Sequence, residues 1–360
     1  IPDAPRVIAA APAGAAGPSA VWRTDPDGQI VREPLGPEHR QRMRIAADPD
    51  AETPTPLFDR LLDFAFGPDP KGEQRRLLQQ VFGAAIARVL YLHRIAVLLL
   101  GASTSGKSTL LQVLAALFPR EQVGATSPQR WQSDYHVAAL AGRAVNIVGE
   151  LDPNEPIPGG AFKSVVGNDV IEGRHPTHRP FSFVCAASHF FNANRLPPTV
   201  DRSDAFFRRW RVIEFKRSVP PEEVIVDLGA RIVEEESGGV VAWALRGAAE
   251  VLRSGAIVAP AEHRAAITRW RHANNSAVQF LLDDEFVELV PVAASDDTAV
   301  VSTSGALVFE AYRSWTRTVG VRPFGRNSFY EAIDEGAGGL GVYRRAGRLG
   351  VEIVGVRLLQ

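Results

Sequence analysis

Gly101-Ala102-Ser103-Thr104-Ser105-Gly106-Lys107-Ser108-Thr109 matches the pattern G-x-x-x-x-G-K-[ST]. An apolar run from Ile95 to Leu100 leads into it and an apolar-periodic segment from Leu110 to Phe118 leads out, so the stretch reads as strand, loop and helix. Loop N–H groups at a helix N-terminus converge on phosphate oxygens, because unpaired donors and the helix dipole favour negative charge there. Gly101 and Gly106 permit a backbone conformation and a close approach that a Cβ would obstruct. Lys107 is expected to reach the β- and γ-phosphates and Ser108 to hold Mg2+, with the whole loop cradling ATP.

Composition sets the frame for that loop. The chain has 360 residues, 45% of them hydrophobic, enough for two or three domains with real cores. Net charge is −1, so any nucleic-acid contact must be local. Cys185 is the sole cysteine, which excludes an internal disulfide and suits a reducing cytosol. No apolar run approaches the ~18 residues of a membrane span, and the first residues carry no signal-peptide pattern. The chain begins at Ile1, and we expect a fragment of a longer protein. Only Lys71, Lys107, Lys163 and Lys216 are lysines among 40 basic residues. Against an arginine-rich background, a lysine marks a place where an extended point charge serves better than a planar fork.

Residues 1–50 are rich in Ala, Pro and Gly and read as an extended linker or the tail of an upstream domain, with a short hairpin around Asp27-Gly28 between Val21 and Val31. Residues 51–93 carry apolar positions at helical spacing and read as a small helical subdomain; packing and an oligomerisation collar account for them equally. Residues 94–257 form the core around the loop. Within it, Ala144 to Val148 is a short apolar strand ending at Gly149-Glu150-Leu151-Asp152. An acid at that position suits a nucleotide site, where a carboxylate positions Mg2+ or activates water; Glu150 is assigned as that base, with Asp152 in support.

Phe162 to Arg179 reads FKSVVGNDVIEGRHPTHR. Lys163 and Val165-Val166, a Gly167-Asn168-Asp169 turn, and Val170-Ile171 suggest a hairpin whose basic tip holds Arg174, His175, His178 and Arg179. Such a tip grips phosphates by charge, and it serves as readily as a plain exposed turn. His175, His178, Cys185 and His189 fit no usual zinc spacing, and Cys185 sits inside an apolar strand from Phe181 to Ala187. That strand continues to Asn192-Ala193-Asn194-Arg195-Leu196-Pro197. An amide there would orient water beside the γ-phosphate, with Asn194 preferred over Asn192; a turn-forming Asn before Pro explains the same residues. Asp201 to Phe215 then sets Arg208 and Arg209 before another strand, as an arginine finger or an ordinary structural pair.

Taken in order, GASTSGKST, AVNIVGEL, FKSVVGNDVIEGRHPTHRPFSF, FNANRLPP and DRSDAFFRRWRVIEF resemble the superfamily 3 helicases, specifically the helicase half of poxvirus-type and satellite-phage-type primase-helicases. The resemblance covers roughly residues 55 to 255. It implies an α/β P-loop core of AAA+ type, assembled as a ring, a hexamer in the family's manner, with active sites between subunits. It further implies that Lys107 and Ser108 bind ATP and Mg2+, that Glu150 is the catalytic acid and Asn194 the sensor, and that Arg208 or Arg209 acts in trans. Lys163, Arg174, His175, His178 and Arg179 become candidate contacts to single-stranded or forked DNA in a central channel. A primase or polymerase is the implied partner, and the cytosol of a bacterial host, for a phage or mobile-element protein, the implied location. Two departures stand out: Glu150-Leu151 replaces the frequent acid pair, and Asn168 stands where a second Gly is common.

Beyond the core, residues 222–255 look helical with an interruption at Glu235-Glu236-Ser237-Gly238-Gly239. Residues 258–301 read as a helical connector. Residues 302–360 give two helices and a strand pair, a winged-helix-like pattern with eight Arg against five acids. Arg322, Arg326, Arg344, Arg345 and Arg348 are candidate DNA contacts there, and a solvated structural face fits nearly as well. Two other functions fit the same loop: an origin-binding initiator that uses ATP as an assembly switch, and another NTPase such as a packaging motor or small-molecule kinase.

Overall fold

The computed structural model describes residues 45–359 except 68, 291–300 and 349, together with strands β1 (Val7–Ala10), β2 (Ala20–Thr24) and β3 (Ile30–Pro34). These three strands form an antiparallel sheet, with Thr24 opposite Ile30, where the sequence suggested mostly linker. The Asp27-Gly28 turn lies outside the described residues.

Ile95 to Leu100 becomes β4 (Ala96–Gly101), the second strand of a five-stranded sheet. Its companions are β5 (Val123–Gly124), β6 (Val145–Val148), β9 (Ser188–Ala193) and β10 (Trp210–Phe215), in the order β10-β4-β9-β6-β5 and parallel throughout. Every residue of β9 and five of the six in β4 are buried, as expected of a parallel sheet covered on both faces. The chain leaves β4 toward the far edge at β5, returns through β6 and β9, then crosses to β10. The carboxyl ends of β4 and β9 therefore flank a point where the winding direction reverses, the usual place for a ligand crevice.

One face is covered by helices α1 (Pro56–Phe66), α2 (Glu73–Ile86), α3 (Lys107–Ala116) and α7 (Leu228–Ser254). Phe58, Leu62, Leu78 and Phe82 share one apolar cluster with Leu99, Leu114, Ile213 and Leu245. Residues 51–93 are thus part of the core and not a separable subdomain, and the apolar periodicity that suggested a collar is taken up by α7 of the same chain. The N-terminus of α1 is satisfied from a distance, for the buried Glu236 carboxylate of α7 accepts from Leu57 N (2.7 Å) and Phe58 N (2.9 Å).

Glu236 and its neighbours were expected to interrupt a helix, yet α7 runs unbroken for 27 residues. Gly238 and Gly239 are small because the backbone of residues 48–53 crosses there; a Cβ on Gly239 would collide with the carbonyl of Thr53. Close crossing, and not helix breaking, explains the glycine pair.

On the other face an aromatic column stands beneath the sheet. Trp131 stacks on Phe162 (6.1 Å between centroids), Phe162 on Trp210 (4.5 Å), and Phe191 meets Trp210 at 5.7 Å. Phe162 belongs to α5 (Gly159–Val166), so the segment expected as the first arm of a hairpin is a helix. Asn168 follows it in the left-handed region (φ 63°), with its Nδ2 donating to Tyr91 O at 2.9 Å. An Asn tolerates that conformation better than other side-chain-bearing residues, which accounts for its presence where glycine is common. The hairpin itself begins later, as β7 (Val170–Gly173) paired with β8 (Phe181–Val184). A short helix, α4 (Asp134–Ala138), packs beside β7. The apolar strand read as continuous from Phe181 breaks at Cys185 into β8 and β9, which belong to different sheets.

The chain divides into two units, residues 1–201 with 208–266, and residues 202–207 with 267–360. The second contains α6 (Asp204–Phe207), the end of α8 (Ala261–Ala273), α9 (Ser276–Leu281), α10 (Gly305–Val319) and α11 (Arg326–Gly336). Asn275 caps α9 by accepting from Ala277 N and Val278 N. Strands β12 (Ser302–Ser304), β13 (Tyr343–Gly347) and β14 (Gly350–Val354) form one small sheet, and β11 (Val287–Leu289) pairs with β15 (Val356–Leu358). Phe280, Tyr312 and Phe329 centre a separate apolar cluster. The segment expected as a connector, 258–301, contributes α9 and β11 to this unit.

Candidate nucleotide site at the strand ends

Register places the candidates. Leu100 pairs with Ala193, Phe215 with Gly101, and Val148 with Phe191, so the residues following β4, β6 and β9 emerge along one edge of the sheet. Gly101 to Thr109, Glu150 and Asn194 all start from that edge.

The loop is closely built. Gly106 adopts φ 91°, and a Cβ there would stand 2.7 Å from Leu61 Cδ1. A Cβ on Gly101 would meet the carbonyl of Phe215. Lys107 opens α3 and is 3% exposed; its ammonium donates to Gly101 O (2.7 Å), Ala102 O (2.6 Å) and Ser105 Oγ (3.1 Å). Burial holds its pKa below the ordinary lysine value, and the Glu150 charge opposes that shift in part. Ser108 is exposed and receives a hydrogen bond from Asn192 Nδ2 at 3.3 Å.

Across the edge, exposed Glu150 accepts from Asn194 Nδ2 at 2.7 Å, which brings together the acid and the preferred amide. Asn192 is buried and faces Ser108 and Gly149; its Oδ1 has no hydrogen-bond partner among the described residues. Asp152 is exposed, and its backbone is held by the buried Gln129, whose Nε2 donates to Asp152 O (2.7 Å) and Glu155 O while its Oε1 accepts from Asp152 N (3.2 Å). Sequence reading missed Gln129, because an amide in a loop carries no local sign of the backbone it will clamp.

Hard oxygen donors surround this edge: the Ser108 hydroxyl and the Glu150 carboxylate, with an orphaned buried amide oxygen behind them. That donor set fits Mg2+, which takes one or two protein oxygens beside phosphate and water. Among the described residues no group of three His, Cys, Asp or Glu side chains is placed to hold a metal alone. His175 and His178 lie on an exposed turn, whereas Cys185 and His189 are buried together, Sγ to Nε2 3.8 Å. Burial pushes the Cys185 thiol up to about 11 and the His189 imidazole down to about 3.

Beside the loop lies a pocket of about 200 Å³, walled by Leu61, Phe64, Val219, Val224, Ile225 and Leu228. The chain after β10 forms part of it and is tied to the loop by Val219 N to Thr104 O (2.8 Å) and Ser218 Oγ to Ser103 O (3.1 Å). An apolar slot adjoining a phosphate cradle suits a flat base, and nothing in the sequence pattern announced it.

The remaining candidates lie elsewhere. Arg208 and Arg209 precede the amino end of β10, where Arg209 O accepts from Ala96 N at 2.7 Å, so they sit at the opposite end of the strands from the loop. Six residues of strand, roughly 20 Å, separate the pair from the phosphate cradle of the same chain. Arg208 is exposed. Lys163 is not on the hairpin; it lies on α5 and pairs with Asp201 at 2.8 Å. Arg174, His175, His178 and Arg179 do form the turn between β7 and β8, exposed from Arg174 to Pro180. His175 stacks on Phe181 (5.2 Å), and Arg174 Nε donates to His178 O at 3.3 Å. In the second unit Arg344 pairs with Asp334 (2.5 Å), Arg345 with Glu352 (2.9 Å), and Arg326 lies over the Phe309 ring (5.2 Å), while Arg322 and Arg348 are exposed.

Among the described residues no helix is long and apolar enough to cross a membrane. A model described as a family of unknown function (DUF5906) matches residues 99–209. No curated protein matches the chain. An A-form apo structure of the NrS-1 C-terminal region is 14% identical, with a TM-score of 0.47, over 62% of this chain and 53% of that one. The chain thus spans about half the length of that structure. A further apo structure of the same region is 12% identical over 86% of this chain and 77% of that one, with a TM-score of 0.49. The JCV helicase is 12% identical over 62% and 69%, with a TM-score of 0.26. At such identities and scores, the functional reading rests on this chain's own residues.

Proposed function

We propose that this chain is an ATP-dependent DNA helicase motor of the superfamily 3 type. The observation that carries the reading is the shared strand edge, where Lys107 and Ser108, Glu150, and Asn192 and Asn194 converge from three different strands. Lys107 would leave its loop carbonyls for phosphate oxygens, Ser108 and Glu150 would hold Mg2+, and Glu150, steadied by Asn194, would take the proton of the attacking water. Mg2+ held there would supply charge neutralisation on the phosphates. The apolar pocket seats the base.

Arg208 and Arg209 stand too far from their own loop to touch its nucleotide, which favours service to a neighbouring copy and hence a ring, hexameric by the resemblance. The exposed Arg174–Arg179 turn is the contact for single-stranded or forked DNA, mostly through phosphates. Lys163 joins that contact once released from Asp201. The second unit, with α10, α11 and the β13–β14 hairpin, is a winged-helix-like module with Arg322 and Arg348 facing nucleic acid. A primase or polymerase partner and a bacterial cytosol complete the proposal.

The test measures ATP turnover and strand displacement on forked DNA. Wild-type chain is expected to hydrolyse ATP and separate strands, and Lys107→Ala to lose both. Turnover unchanged in Lys107→Ala would overturn the assignment; turnover without displacement would replace motor by assembly switch.

A further inference from the structure

Strand β6 ends in Val148-Gly149-Glu150, so the first residue past the strand has no side chain. In P-loop NTPases an acid from this region works with the loop hydroxyl to hold Mg2+. Here Glu150 is engaged with Asn194, and the group that reaches the Ser108 hydroxyl comes from β9: the Asn192 amide, 3.3 Å from Ser108 Oγ and 2.7 Å from Gly149 O. Its orientation is chemically fixed. Gly149 O only accepts, so Nδ2 must face it; the reversed amide would press two acceptors together. The same Nδ2 gives Ser108 Oγ a donor, which uses one hydroxyl lone pair and leaves the other for a cation.

Asn192 also acts through its backbone, since its carbonyl accepts from Leu151 N at 2.8 Å. One buried residue therefore fixes the residues on both sides of Glu150 and touches Ser108. We propose that Asn192 is the positioning residue that couples the Mg2+-binding hydroxyl to the catalytic acid, taking over from the neighbouring strand the role that a side chain at Gly149 would otherwise fill. Gly149 supplies an internal check. It is exposed, its φ lies outside the positive region, and no heavy atom among the described residues stands within 4 Å of a Cβ added there. A carboxylate can be placed at that position without a steric conflict.

The inference rests on the ATPase reading, and the experiment separates the two. Binding of a fluorescent ADP analogue is titrated in EDTA and against rising MgCl2, beside ATP turnover, for wild type, Lys107→Ala, Ser108→Ala, Asn192→Ala, Gly149→Asp and two pairs. In Asn192→Ala we expect metal-free nucleotide affinity within about twofold of wild type and a Mg2+ requirement raised by about 10–100-fold, the range for loss of an outer-shell partner. The maximal rate falls while KM for ATP at saturating Mg2+ stays. Asn192→Ala combined with Ser108→Ala should need no more Mg2+ than Ser108→Ala alone, and Gly149→Asp with Asn192→Ala should recover most of the Mg2+ affinity. A Mg2+ requirement unchanged in Asn192→Ala, equal loss of metal-free binding, or additive effects with Ser108→Ala would overturn the proposal. Should Asn192→Ala not fold, the near-isosteric Asn192→Leu serves in its place: a raised Mg2+ requirement would support the proposal, and an unchanged one would overturn it. Absence of nucleotide binding in wild type would instead sink the ATPase reading.

Discussion

On the function proposed, the strand-end site and the β7–β8 turn both meet anions, and they are built in opposite ways. At the site the key groups are buried or braced: Lys107 is 3% exposed with three oxygen partners, and Asn192 is tied to two elements. At the turn every residue from Arg174 to Pro180 is exposed. On that proposal the difference follows from the tasks. Transition-state stabilisation gains from groups fixed in advance in a water-poor setting, because no reorganisation is then needed. Gripping a phosphate backbone of any sequence gains from hydrated cations on an exposed tip, whose strength comes from counterion release.

Breaking the braced side should cost most. Glu150→Gln keeps an acceptor for Asn194 but removes the base, and turnover should fall by about 10²–10⁴-fold with nucleotide binding retained. A fall in binding equal to that in rate would show that Glu150 holds nucleotide and not the water. Next comes the support behind the site: Glu236→Ala strips the α1 N-terminus of its buried acceptor and should destabilise the chain by about 1–3 kcal/mol in a denaturant titration. A midpoint within error of wild type would mean that water replaces the carboxylate.

Arg174→Ala with Arg179→Ala tests the loose side. Single-strand affinity should weaken, and the slope of log affinity against log salt should lessen by about one to two, with turnover in the absence of DNA unchanged. An unaltered slope would move the DNA contact to another surface. The smallest effect is a displacement along the pH axis. Lys107 has a folded-state pKa below the ordinary lysine value, so the charged form needed for phosphate is lost at lower pH than for a free lysine. The alkaline limb of kcat/KM should therefore begin below the usual lysine range; a limb at or above it would indicate an unburied ammonium in the working enzyme.

Much of the braced side was legible because it is written locally. The loop pattern, the apolar strand before Glu150 and the apolar strand into Asn194 are each contiguous, and parallel strands in one sheet must bring their carboxyl ends to one edge. What escaped depends on residues far apart in sequence. Gly238-Gly239 looked like a break because the close passage of Thr53 is invisible from within the helix. Phe162 to Val166 looked extended because two apolar pairs flanking a Gly-Asn turn mimic a hairpin, while the stacking of Phe162 on Trp210 that holds it as helix is tertiary. Asn192 looked like a reserve for Asn194; its distinct part, facing Ser108 and Gly149, is set by which way each residue of β9 points.

Helix α7 joins the pocket to the rest of the first unit in a mechanical sense. Leu228 in its first turn lines the pocket, and nineteen residues on, Gly247 lies against the Gln79 backbone of α2, where a Cβ would collide. At 1.5 Å per residue these points are about 28 Å apart. Between them Glu236 is bonded to Leu57 N and Phe58 N and Gly239 lies against Thr53 O, so the helix is a rod held along its length, with the pocket wall at one end.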